Sequence, residues 1–236
     1  MPLDPSFLMA SSNPGTPATI EFPVEPVFRI ARRNTLLEGS RIRKRDSVTQ
    51  AGHRFDLLDS GVIYCATQLQ ASFAEVLSPF RRVPSARIHI DQKSDPEFMN
   101  QGGIPADWRE TRAIFLINCV EPLPFLNIED PKTLAFLDVA LADELNEMGV
   151  YSALDIALVR GSNRRITRAV SAWTANQVDE EGAFIYSGIR YKSRLGDWEC
   201  WAIFEETEME IIKALEIKRT NLDLQFIAEL FQLTIH

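Results

Sequence analysis

Four side chains far apart in the chain bring a guanidinium, a phenol, a carboxylate and a hydroxyl: Arg54, Tyr64, Glu75 and Ser193. Arg54 and Tyr64 lie near the two ends of the stretch HRFDLLDSGVIY (53–64), and Glu75 follows eleven residues after Tyr64 within TQLQASFAEVL. A guanidinium is a permanently charged, forked donor for anions, and a carboxylate can stabilise positive charge that develops during a reaction. Each residue also has a purely structural reading. Arg54 can pair with Asp56 on the surface, Tyr64 can cap a core, Glu75 can be a solvated helix carboxylate and Ser193 a turn residue.

Other catalytic kits are missing from the sequence. The three histidines, His53, His89 and His236, form no cluster with Cys or carboxylates at ligand spacing, which argues against zinc. His89 alternates within a strand-like pattern and reads as structural. There is no G-x-x-x-x-G-K-[ST] or G-x-G-x-x-G loop to cradle phosphates, and no G-x-S-x-G stretch to support a serine nucleophile. Cys65, Cys119 and Cys200 lie far apart in apolar stretches without C-x-x-C spacing, as expected in a reducing compartment. The net charge of -8 argues against an overall basic surface for nucleic acid or anionic lipid, and the run RIRKR (41–45) reads as a solvated charge run. No apolar run is long enough to span a bilayer and no basic-then-hydrophobic leader opens the chain, so a soluble cytoplasmic protein without membrane contact is expected.

These residues need elements to position them. Residues 1–26, rich in proline with Ser, Thr and Gly between, favour an extended arm over a packed element. From Val27 onward, VFRIA, GVIYCA, ARIHI and RAIFLINCV read as short strands, with a loop, DQKSDPEFMNQGGIPADW, between the last two. Leu69, Phe73, Val76 and Leu77 make one helical stripe that leaves Glu75 outside it, facing either solvent or a cleft. Asp130–Pro131 starts a helix that Gly149 stops, and a second runs from a Ser162 cap through Trp173 with NRR in its first turn, facing solvent or a ligand. AFIYSGIRYKSR and WECWAIFE give two more strands, and a helix at Leu224–Phe231 precedes a terminal strand, LTIH. The expected architecture is one α+β domain over 27–236 behind the arm at 1–26, its core built mainly from strands.

At these residues the sequence resembles the RES domain family, which includes toxins of toxin-antitoxin pairs acting on NAD. VFRIAR resembles the opening strand of that family, and GHRFDLLDSGVIYCA resembles its Gly-Arg-aromatic stretch leading to a Tyr. ASFAEVL resembles its helix carrying Glu, and SGIRYKSR with WECWAIFE resembles its Gly-Ile-x-Tyr-x-Ser signature and following strand. Departures are His53, Phe55 and Asp56 around the arginine, where the family commonly shows Gly-Gly-Arg-Trp-Asn, and a longer middle region from about Asp91 to Met148.

The resemblance implies a split pair of small sheets flanked by helices, similar to the ADP-ribosyltransferase fold, with a cleft for NAD. It implies that Arg54, Tyr64, Glu75 and Ser193 line that cleft, with Arg29 and Arg190 as weaker NAD-binding candidates. Glu75 would stabilise the ribose cation, Arg54 would hold the pyrophosphate, and Tyr64 and Ser193 would contact nicotinamide or ribose. NAD would be the substrate, with no further cofactor and no metal, and the reaction hydrolysis or phosphorolysis of the nicotinamide–ribose bond. For a phosphate acceptor, Arg29, Arg190 or Arg194 would supply positive charge. The implied partner is an Xre-like antitoxin protein; a homo-oligomer stays open. Alternatives are ADP-ribosyl transfer to a macromolecule and a non-catalytic NAD-binding subunit.

Overall fold

The computed structural model describes residues 15–81 and 102–236. The expected strand ARIHI, His89 and most of the loop after them lie outside the described residues, as does the first half of the proline-rich arm. Ten strands and seven helices are described. The strands are β1 (Thr19–Ile20), β2 (Val27–Arg32), β3 (Val62–Ala66), β4 (Gly103–Ile104), β5 (Arg112–Cys119), β6 (Phe125–Asn127), β7 (Gly188–Lys192), β8 (Glu199–Phe204), β9 (Met209–Glu216) and β10 (Thr234–Ile235). The helices are α1 (Leu69–Leu77), α2 (Ala106–Glu110), α3 (Pro131–Ala140), α4 (Ala142–Glu147), α5 (Ile156–Arg160), α6 (Arg164–Ala175) and α7 (Leu222–Phe231).

Eight strands form one curled sheet in the order β1-β6-β7-β8-β3-β2-β5-β9, and β10 pairs with β4 in a small second sheet. All pairs of the large sheet are antiparallel except β6–β7. The ladder is continuous but has a weak seam. β3 matches β8 over five positions and β2 matches β5 over six, whereas β2 and β3 meet in register only where Phe28 opposes Ala66. The β core is thus split at the β3/β2 seam within the α+β fold.

Strand alternation explains what sits on each face. Val62, Ala66, Ala202 and Ile189 meet α3 to α6 in one cluster, while Ile30 and Ile114, on the same face, meet α1, α2 and α7 in another. The opposite face carries Val27, Ile63, Phe115, Trp201 and Ile203, with Phe22 packed at 5.2–5.3 Å between ring centroids against Trp201 and Phe125. The second half of the expected arm is therefore partly built in: Thr19 and Ile20 pair with β6 and Phe22 is core.

Two expected helices differ in detail. The helix after Asp130 breaks at Leu141 into α3 and α4, and Asn163, not Ser162, caps α6 by accepting from the Arg165 N–H at 3.1 Å. β9 has no clear strand signal in the sequence, because MEIIKALE mixes apolar and charged residues without strict alternation, and it becomes a strand by pairing with β5.

Candidate active site

A cavity of about 380 Å³ opens between the two helical groups, above the seam. Arg54, Tyr64 and Glu75 line it, together with His53, Arg164, Arg194, Tyr191, Trp108 and Arg112. Ser193 is 2 % exposed and reaches the cavity through Glu75: its Oγ donates to Glu75 Oε1 at 2.6 Å and accepts from the Leu195 N–H at 3.1 Å. The hydroxyl is therefore committed to positioning Glu75. Glu75 itself is solvent-exposed on α1, whose buried side chains Phe73 and Leu77, two residues to either side, turn the other way.

Arg54 is 7 % exposed. Its Nη1 donates to the Lys192 carbonyl at 3.0 Å and its Nη2 to that of Val159 at 2.7 Å, with the guanidinium over the rings of Tyr191 and Phe55 at 4.8 and 5.1 Å. Burial lowers its pKa, while Tyr191, Glu75 and Glu129 act to raise it. An arginine stays charged under these conditions, so the wall of the cavity holds a fixed positive charge. Glu75 lies close enough to influence Arg54 and Arg164 electrostatically, yet makes no ion pair with either, and among the described residues its second oxygen has no hydrogen-bond partner.

Tyr64 is partly exposed, but its hydroxyl is engaged, donating to Asp56 Oδ1 at 2.9 Å and accepting from the Phe55 N–H at 3.0 Å. Burial, reinforced by the Asp56 charge, pushes this phenol well above its ordinary pKa, so it stays neutral. What it offers the cavity is its ring, 5.1 Å from the imidazole of His53. Asp56 is not the surface partner of Arg54. It is 1 % exposed and its Oδ2 accepts from the His53 N–H at 2.7 Å and the Ser40 hydroxyl at 3.1 Å.

Helix α6 holds the segment that carries Arg54. Thr167 donates to the Arg54 carbonyl, Ser171 to that of Phe55 at 2.7 Å, and Arg168 to the carbonyls of Ser47, Thr49 and Ala51. The first turn of α6 brings Arg164 into the cavity, and Arg194 joins it from the turn after β7. Burial, and then the like charges of Arg194 and Arg54, lower the Arg164 pKa, a sign that three cations crowd one end.

Two expected cavity residues sit elsewhere. Arg29 donates to the carbonyls of Leu36, Tyr64 and Glu38 at 2.8, 3.2 and 3.1 Å and so ties β2 to β3 across the seam. Arg190 pairs with Glu199 at 2.8 Å and reaches Asn127. The reason is strand parity: Ile30 and Tyr191 line the cavity, so their neighbours Arg29 and Arg190 point to the opposite face. The same rule puts Ser193 on the side of Tyr191. The sequence reading missed Tyr191, Trp108 and Arg112. Parity from the Ser193 motif was the signal that would have found Tyr191; nothing in the sequence marked the other two.

Cys65 and Cys200 also line the cavity, but burial pushes both thiols up, Cys65 to about 11, so neither is a thiolate at neutral pH. Among the described residues no group of three His, Cys, Asp or Glu is placed to hold a metal ion, and no helix is long and apolar enough to cross a membrane.

Comparison with known proteins gives a family. No curated protein matches the sequence. The chain of the M. tuberculosis MbcT–MbcA toxin-antitoxin complex that is similar in structure shares 14% identity, with a TM-score of 0.48 over 91% of this chain and 90% of that one. The RES domain family matches residues 26–226, a span that holds every cavity residue described above. The chain belongs to the RES domain family.

Proposed function

We propose that this chain is an enzyme that degrades NAD by breaking the bond between ribose and nicotinamide, and that it serves as the toxin of a toxin-antitoxin pair with an Xre-like partner. Family membership supports an NAD-directed toxin. The observation that carries the reaction is Glu75, exposed in a cationic cavity and anchored by Ser193 at 2.6 Å.

In NAD the leaving nicotinamide is already cationic, so the glycosidic bond breaks with its electron pair passing to the ring nitrogen and no acid is needed. The scarcity of histidine is then no handicap. Positive charge develops on the ribose as in other glycosyl cleavages, and a preorganised carboxylate beside it lowers the barrier. Ser193 fixes one oxygen of Glu75, and the other is left for the ribose. Arg164 and Arg194, backed by the buried charge of Arg54, attract the pyrophosphate. The volume of about 380 Å³ falls at the lower end of the range usual for small-ligand sites. An oxygen of water, which releases its proton to solvent, or an already ionised oxygen of inorganic phosphate then bonds to the ribose carbon.

The test is product analysis of purified protein with NAD, with and without inorganic phosphate. Nicotinamide release is expected in both the hydrolytic and the phosphorolytic case. ADP-ribose alone identifies water as acceptor, and a phosphate-dependent phosphorylated ADP-ribose identifies phosphorolysis. NAD left intact, or ADP-ribose found only on a macromolecule, would overturn the reading.

A further inference from the structure

A second groove, of about 400 Å³, lies at the other end of α6 from the cavity and shares no lining residue with it. Arg164 marks the N-terminal end of the helix in the cavity, and Ala172, Ala175 and Asn176 mark its C-terminal end in the groove. The two ends have opposite charge. Among the described residues the cavity is lined by four arginines and one carboxylate, and the groove by Asp59, Glu121, Glu206 and Glu208 and by no Lys, Arg or His. The carbonyl end of α6 adds to this negative field.

Among the described residues the fold makes little use of these carboxylates. All four are exposed, none makes an ion pair among the described residues, and one hydrogen bond, from Ser60 to Glu206, is described. Between them lie exposed apolar side chains: Leu58 at 41%, Leu123 at 41% and Phe184 at 50%, with Val120 beside them. Glu121 is held at φ 44°, a left-handed conformation that costs a non-glycine residue about 1 kcal/mol or more. Apolar surface ringed by unpaired like charges marks an interaction site, and its sign names the partner.

We infer that this groove docks a cationic, amphipathic segment of a partner protein, its apolar side chains on Leu58, Leu123 and Phe184 and its Lys or Arg residues on the four carboxylates. The groove is independent of the NAD reading, since none of its residues enters that chemistry.

The full chain can be probed with a short leucine–lysine peptide, a leucine–glutamate counterpart and oligolysine, using fluorescence anisotropy with hydrogen-exchange mapping. The leucine–lysine peptide is expected to bind and to protect residues 57–60, 120–123 and 204–208. Affinity should fall about tenfold or more in the Glu206→Lys/Glu208→Lys variant and, separately, in Leu123→Asp/Phe184→Asp. All four positions are exposed, so both variants should melt like the parent, and a variant that does not is replaced by the single substitutions. Equal binding to parent and both variants, protection elsewhere, or binding of oligolysine as tight as that of the leucine–lysine peptide would overturn the proposal.

Discussion

Tyr64 illustrates how residue type and residue role diverge. It was expected to present a ring face to nicotinamide and a hydroxyl to ribose or phosphate; the ring does line the cavity, but the hydroxyl joins the Phe55 N–H to Asp56 and shapes the segment carrying Arg54. Tyr64→Phe should therefore leave Asp56 short of a donor and the Phe55 N–H without its partner, at a cost of about 1–3 kcal/mol. Urea unfolding measures this; an unchanged midpoint would show that the phenol contributes nothing to the segment. At this scale the sequence was only partly legible. Nothing in residue type separated Arg54, Glu75 and Ser193 from surface or turn residues. Their order and spacing, matched to a family, picked them out, and the structure brings them together. Arg29 and Arg190 were misplaced because both sit in strands where a shift of one residue reverses the face.

Among the elements, β7 and α6 do most to position the cavity. Gly188 opens β7 at φ 156°, and a Cβ there would meet the Ala202 carbonyl at 2.1 Å and the Phe125 ring at 2.8 Å. Backbone cannot yield as a flexible side chain would. Gly188→Ala should thus destabilise the protein by more than the roughly 1 kcal/mol typical of point substitutions, read as a lowered thermal midpoint; an unchanged midpoint would contradict the packing described. The end of β7 is secured by Glu129, which accepts from the Lys192 N–H at 2.8 Å and pairs with Arg160, while the Lys192 carbonyl receives Arg54. Burial disfavours the charged form of Glu129, but the hydrogen bonds from Arg160 and the Lys192 N–H outweigh it, and its pKa lies below the ordinary value.

The folded pKa of Glu129 being the lower one, its stabilisation is complete above the unfolded value of about 4.3 and is lost as pH falls through the folded value. Comparing the stability of parent and Glu129→Gln across that range should show a steeper acid loss in the parent. Parallel curves would contradict it. Helices and strands with strong local patterns, such as α1, α6, β2 and β3, were readable in the sequence. β9 and the break at Leu141 were not, because each depends on what the segment packs against.

At the scale of the molecule, the cavity exists because two helical groups cover one face of a sheet whose strands barely meet at the β3/β2 seam. No local pattern announces a seam. It follows from pairing between segments more than thirty residues apart, Phe28 with Ala66, and from Arg29 bonding to the Tyr64 carbonyl instead of extending the ladder. The seam sets Glu75, on the helix after β3, opposite Ser193, at the end of β7. The most direct test of the whole account is the rate of nicotinamide release from NAD by parent and Glu75→Gln proteins, with NAD binding measured on both. The account predicts release by the parent and a rate about 100-fold lower or more in the variant, with binding largely retained. Equal rates in the two proteins, or no release by the parent, would contradict it.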